Sequence, residues 1–108
     1  MSRRFSISSW NPVCVLALVC CSFACLACGP VSYALDMHSA EHIVSEARAE
    51  NADYYAPYEL HYAEAQLEKA REEAAEGHYE DALQMVSAAE AYGRQALERS
   101  ANPGERSR

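Results

Sequence analysis

The amino-acid sequence predicts an all-α protein, a short three-helix unit dominated by a long antiparallel helical hairpin and preceded by an N-terminal signal segment. Three observations favour this fold class. All five cysteines of the 108-residue chain lie in the first 28 residues, whereas all sixteen acidic residues follow Gly29. In the polar segment after Gly29, apolar residues recur at spacings of three and four, which is the period of one helix face. β-Branched residues are scarce there, so strands have little to form from.

The N-terminal segment has the layout of a secretory signal peptide. Arg3 and Arg4 supply a positive start, and residues 13–27 are apolar or cysteine apart from Ser22. A helix that spans a bilayer needs about 20 apolar residues, and this run is shorter. We therefore predict a cleaved signal peptide over residues 1–27. The alternative is an uncleaved anchor in the inner membrane, with the same domain on its outer side.

The end of the apolar run carries the sequence Cys25-Leu26-Ala27-Cys28-Gly29, which resembles a bacterial lipobox. In signals of this kind the last cysteine takes a diacylglycerol and becomes the new N-terminus. The resemblance implies lipidation of Cys28 and attachment to a lipid bilayer, although Cys25 stands where leucine is usual. The alternative is that the cysteines are small hydrophobic residues of the signal. Gly29 is not the aspartate that marks inner-membrane retention in enteric bacteria, so we expect an outer-membrane protein facing the periplasm.

Three further segments follow the signal peptide. We predict a lipidated cysteine with a short tether at residues 28–35, a helical domain at residues 36–100 and a disordered tail at residues 101–108. The first helix is expected at about residues 32–51, on the apolar stripe of Met37, Ala40, Ile43, Val44 and Ala47. Asn51-Ala52-Asp53 provides the break after it.

The next two helices are predicted from matching stripes on either side of Gly77. The first stripe comprises Leu60, Ala63, Leu67, Ala70 and Ala74; the second comprises Tyr79, Ala82, Val86, Ala89, Gly93 and Ala96. Pro57 suits a first helical position, and a connection of about two residues forces an antiparallel hairpin. Gly93 has two explanations, a contact point for a bulky neighbour or a weak spot in the helix. Tyr54, Tyr55 and Tyr58 are expected to cover the end of the core.

A helical domain of this size is expected to gain stability from binding a partner, because a single small hydrophobic core contributes little free energy of folding. We predict an interaction face formed by Leu60, Ala63, Leu67, Tyr79 and Val86, which binds another envelope protein or a second copy of the chain. Cysteine is absent after Cys28, so no disulfide or cysteine-ligated zinc site can stabilise the mature body.

Two motifs of the helical domain resemble known families. Gly77, Tyr79 and Ala82 form a Gly-x-Tyr-x-x-Ala element that resembles the corner of a tetratricopeptide repeat. Together with Cys28 and Ala56-Pro57-Tyr58-Glu59-Leu60, this element is similar to short bacterial lipoproteins of the domain-of-unknown-function family 4398. The resemblance implies a Gram-negative envelope lipoprotein and brings no activity with it.

Composition and motifs argue against most other functions. Residues 28–108 carry seven basic and sixteen acidic side chains, so a nucleic-acid partner is not expected. His38 and His42 belong to an H-x-x-E-H segment, which is the inverted zinc-peptidase motif. A catalytic zinc also needs a third ligand and a substrate cavity, so we predict a non-enzymatic protein without cofactor or small-molecule substrate. Zinc binding through His38 and His42 is the remaining alternative.

Overall fold

The computed structural model describes residues 11–26 and 28–104, and within these ranges it contains helices and no strand. The helices are α1 (Pro12–Leu26), α2 (Cys28–Ala49), α3 (Ala52–Tyr55), α4 (Pro57–Ala75) and α5 (Tyr79–Ala101). The predicted all-α fold is confirmed. Arg3, Arg4, Ala27 and residues 105–108, all of which entered the sequence predictions, lie outside the described residues.

Helix α1 is apolar and exposed. Leu16 and Phe23 are 71% and 72% exposed, and the helix has no acidic residue in its first turn. The stretch Pro12–Ala49 contains a window that is long and apolar enough to cross a membrane, and none of that window is buried. A signal sequence has the same properties. The N-terminal helix is therefore compatible with either a signal or a membrane anchor.

Helix α2 already includes Cys28, so the helix reaches further toward the N-terminus than the start near Ser32 that the sequence pattern predicts. The predicted tether of residues 28–35 thus forms the first two turns of α2. Gly29 packs on Tyr79 of α5, since a Cβ at Gly29 would lie 3.6 Å from the Tyr79 Cβ. The ring centroids of Tyr33 and Tyr79 are 6.0 Å apart, so the contact between α2 and α5 continues one turn further along α2.

A left-handed asparagine separates α2 from the next helices. Asn51 has φ 61°, a conformation that asparagine tolerates better than most residues. Its carbonyl oxygen accepts hydrogen bonds from the N–H groups of Tyr54 and Tyr55, at 2.9 and 3.2 Å, and so starts α3. The break therefore falls where the sequence predicts it.

The corner between α4 and α5 is a Schellman motif. Gly77 has φ 86°, the His78 N–H donates to the Glu73 carbonyl oxygen at 2.9 Å, and the Gly77 N–H donates to that of Ala74 at 3.1 Å. These bonds satisfy carbonyl groups that the end of α4 would otherwise leave unpaired. The predicted hairpin and its corner are confirmed.

Substitution of Gly77 tests the role of backbone conformation alone. A Cβ at this position would meet nothing within 4 Å, so Gly77→Ala brings strain without a clash. We expect the free energy of unfolding to fall by roughly 1–2 kcal/mol, the cost of a left-handed alanine. Urea unfolding followed by circular dichroism measures the loss. Gly77→Asn is the control and should lose less, because asparagine adopts this conformation more readily; equal losses would contradict the explanation.

Helix α5 is the central helix of the unit and packs along both α2 and α4. Residue pairs across the two interfaces show how α4 and α2 run relative to α5. Tyr62 contacts Tyr92, and Glu59 pairs with Arg99, so α4 and α5 are antiparallel. Gly29 lies against Tyr79, and Gly93 lies against Ile43 and Val44, so α2 and α5 are parallel. The N-terminus of α2 therefore lies beside the α4–α5 corner.

The core between these helices is narrow and rich in alanine. In the described residues its apolar members are Met37, Ala40, Val44, Ala47, Ala52, Ala56, Leu60, Ala63, Leu67, Ala70, Ala82, Val86, Ala89 and Ala96. Gly93 is buried with them, and a Cβ there would lie 3.1 Å from Ile43 Cγ2 and 3.2 Å from Val44 Cγ2. Of the two explanations given for Gly93, the contact point for a bulky neighbour is confirmed.

Candidate functional site

The predicted interaction face is part of the core. Leu60, Ala63 and Val86 are at most 1% exposed, Leu67 is 5% exposed and Tyr79 is half-buried. The prediction that they contact a partner is therefore corrected. The stripes on α4 and α5 meet each other and are closed by α2, which docks on α5 over its whole length. The sequence pattern predicts the helix before the hairpin but does not show that this helix packs on α5 and α4.

Ion pairs connect the helices outside the core. Arg48 of α2 pairs with Glu64 of α4, and Arg71 of α4 donates to Glu41 of α2 at 2.6 Å. Glu59 is only 6% exposed, and its carboxylate accepts a hydrogen bond from Arg99. A buried carboxylate needs such a partner, because desolvation disfavours its charge. These pairs fix the antiparallel register of α2 with α4 and of α4 with α5.

The H-x-x-E-H segment lies on the outside of α2. His38 and His42 are exposed, and the His42 Nδ1 atom lies 3.5 Å from a carboxylate oxygen of Glu46. Glu41, which would act as the acid or base in the zinc motif, is engaged by Arg71 instead. Across residues 11–26 and 28–104, no third acidic, histidine or cysteine side chain joins His38 and His42 in a ligand group. The two histidines therefore face solvent, whereas Glu41 lines an open cleft between α2 and α4 together with Arg48, Glu64 and Arg71.

A different histidine meets two carboxylates at the α4–α5 corner. Ligand atoms of Glu73, Glu76 and His78 lie within 4.8 Å of one another, with His78 Nδ1 at 3.1 Å from Glu73 Oε2. His78 is also the N-cap residue of α5, but its side chain makes no capping hydrogen bond. The Schellman turn creates the cluster by folding His78 back over α4. Its members lie at the surface, around the C-terminal end of α4.

The three tyrosines predicted as one cluster, Tyr54, Tyr55 and Tyr58, divide between two groups. Tyr54 and Tyr55 meet edge to face with ring centroids 5.1 Å apart. Tyr58 belongs to a second group, the α4–α5 tyrosine group, in which the Tyr62 and Tyr92 centroids are 4.2 Å apart. Tyr54 and Tyr58 are 79% and 66% exposed. Sequence reasoning missed Tyr62 and Tyr92, which only the antiparallel register brings together.

The predicted lipidation residue occupies a defined place in the fold. Cys28 is exposed and helical, and the next residue, Gly29, packs on Tyr79. A group attached to its sulfur would leave the core undisturbed. It would also lie at the same end of the unit as the α4–α5 corner.

The helical unit also matches a known family. The model of the family described as domain of unknown function (DUF4398) matches residues 36–103. The chain belongs to this family. The DUF4398 match covers α3, α4, α5 and all but the first two turns of α2, and it leaves α1 and Cys28 outside. No curated protein shows significant similarity to the chain. No solved structure does so either.

Proposed function

We propose that this DUF4398 protein is a non-enzymatic lipoprotein of the bacterial envelope, held on a membrane through acylated Cys28. The observation that carries the proposal is the order of three features along the chain: an exposed apolar α1, a lipobox-like segment and the exposed Cys28. Two or more acyl chains give durable attachment to a bilayer, whereas one gives only marginal binding. We place the protein in the outer membrane, facing the periplasm, with its helical unit as an interaction or structural module.

The surface features support a partner-binding role over a catalytic one. The α4–α5 tyrosine group offers rigid aromatic side chains of the kind enriched at protein interfaces. The H-x-x-E-H segment lies on an exposed helix face, and its glutamate is held in an ion pair with Arg71. Another envelope protein or a second copy of the chain is the expected partner.

Intact mass spectrometry of the membrane-extracted protein tests the anchor. We expect a mass that lacks residues 1–27 and includes acyl groups, and we expect Cys28→Ala to remain unprocessed and unacylated. Cys21→Ala is the matched control, since Cys21 is an exposed cysteine of α1, and it should be processed normally. An unprocessed mass shared by the wild type and Cys28→Ala would overturn the proposal and favour the uncleaved inner-membrane anchor.

Native mass spectrometry of the same preparation measures the zinc bound per chain and so tests the zinc alternative. The proposal expects no equimolar zinc after dialysis. One zinc per chain that disappears in His38→Ala but persists in His78→Ala would favour metal binding by the H-x-x-E-H segment. The reverse pattern would place the metal at the α4–α5 corner.

A further inference from the structure

The outer face of α2 carries a stripe of exposed residues that the core does not use. The outer stripe of α2 comprises Cys28, Val31, Leu35, His38 and His42, and their spacings of three, four, three and four place them on one face. Val31 is 57% exposed and Leu35 is 68% exposed. The buried residues of the same helix, such as Met37 and Val44, lie on the opposite face. The N-terminal part of α2 thus carries apolar residues both on its core face and on its outer stripe.

The charge distribution on this face differs from that of the rest of the body. The outer stripe and the residues next to it on the same face contain no carboxylate as far as Ser45. Asp36 lies to one side, and Glu41 turns toward Arg71 of α4. Glu46, at the far end, lies 3.5 Å from His42. In a body with sixteen acidic residues, a face of this length without one favours contact with an apolar or anionic surface.

We propose that the outer stripe of α2 lies on the lipid bilayer, so that the helical unit rests along the membrane surface. The inference depends on the proposed function, because acylated Cys28 is the first member of the stripe and holds the next turns within reach of lipid. Val31 and Leu35 then enter the interface, and the histidine rings, with apolar bodies and polar edges, reach the headgroups. Because acylated Cys28 already holds the chain on the membrane, the contact of the outer stripe with lipid is intramolecular, and a small apolar face is sufficient to maintain it.

A single tryptophan reports on this contact. Trp10 is the only tryptophan of the chain, so Trp10→Phe removes the background whether or not the signal is cleaved. Leu35→Trp then places the reporter on the outer stripe of α2, and Ala91→Trp places it at an exposed alanine of α5 as the matched control. The full-length gene is expressed, and the purified protein is inserted into phosphatidylethanolamine and phosphatidylglycerol vesicles with or without brominated acyl chains.

We expect bromine to reduce the Leu35→Trp emission by about twofold or more, as for a residue buried at the headgroup and acyl boundary. The Ala91→Trp emission should not change. Addition of Val31→Asp to the Leu35→Trp protein should weaken the quenching while the acylated mass stays the same.

Three results would overturn the proposal. An unquenched Leu35→Trp with water-like emission would leave the stripe in solvent. A blue-shifted but unquenched Leu35→Trp would show that a protein surface covers it, and equal quenching of both reporters would show no preferred face. Intact mass of the same samples separates the two proposals, since missing acylation with quenching at Leu35→Trp would reject only the lipid anchor. Acylation without quenching would reject only the bilayer contact of the outer stripe.

Discussion

Leu60→Ala is expected to lower the free energy of unfolding by about 2–5 kcal/mol, the range for truncation of a fully buried leucine. Leu60 is 0% exposed and is, with Val86, the largest side chain that is fully buried in the described residues. Most of the other buried core side chains are alanines, which are too short to fill the space that its loss would leave. A core of this size supplies only about 3–5 kcal/mol, so the variant should be largely unfolded at 37 °C.

Urea and thermal unfolding of the purified protein, followed by circular dichroism, measure this effect. Leu35→Ala provides the matched control, because it is the same substitution on the same protein at a side chain that is 68% exposed. It should change the stability little. Similar losses for the two variants would mean that Leu60 does not occupy the core described here.

Gly93→Leu is expected to destabilise the protein by about 1–3 kcal/mol, the usual cost of an overpacked core. A Cβ at Gly93 already comes within 3.1 Å of Ile43 Cγ2, so a longer side chain must push α2 away from α5. The higher helix propensity of leucine, about 1 kcal/mol relative to glycine, offsets part of this cost. The loss therefore reports on the close approach of two helices and not on the helix itself.

Two variants separate these contributions in unfolding experiments. Ala91→Leu adds a leucine to an exposed position of the same helix and should leave the stability nearly unchanged. Gly93→Leu combined with Ile43→Ala should recover part of the loss, since it removes one of the two contacting side chains. If the double variant were less stable than the sum of the single effects, the clash between α2 and α5 would be disproved.

The sequence predicts the local structure well, because helix periodicity and end signals are local. Gly77 marks the corner, Asn51 marks the break, and the stripes on α4 and α5 are the buried ones. The helical conformation of residues 28–31 was not predictable from these residues alone. It depends on the packing of Gly29 and Tyr33 against Tyr79, which is a contact between residues about fifty positions apart.

The same limit explains the error about the interaction face. A stripe such as Leu60, Ala63 and Leu67 shows that one face is buried, but not which element buries it. The parallel docking of α2 on α5, with Gly93 against Ile43 and Val44, decides that these residues contact their own chain. Likewise, the sequence marks His38 and His42 as a metal motif, whereas the core face of α2 is what places them on one exposed stripe with Val31 and Leu35.

The alanine-rich core also determines how the stability of the unit depends on temperature. Alanine supplies nine of the fourteen buried apolar side chains in the described residues, so unfolding exposes little apolar area for each residue that is released. The heat-capacity increment of unfolding scales with that area and should fall below the usual value of about 12–15 cal/mol/K per residue. A smaller increment flattens the stability curve, so the folded state gains and loses little free energy over a wide range of growth temperatures.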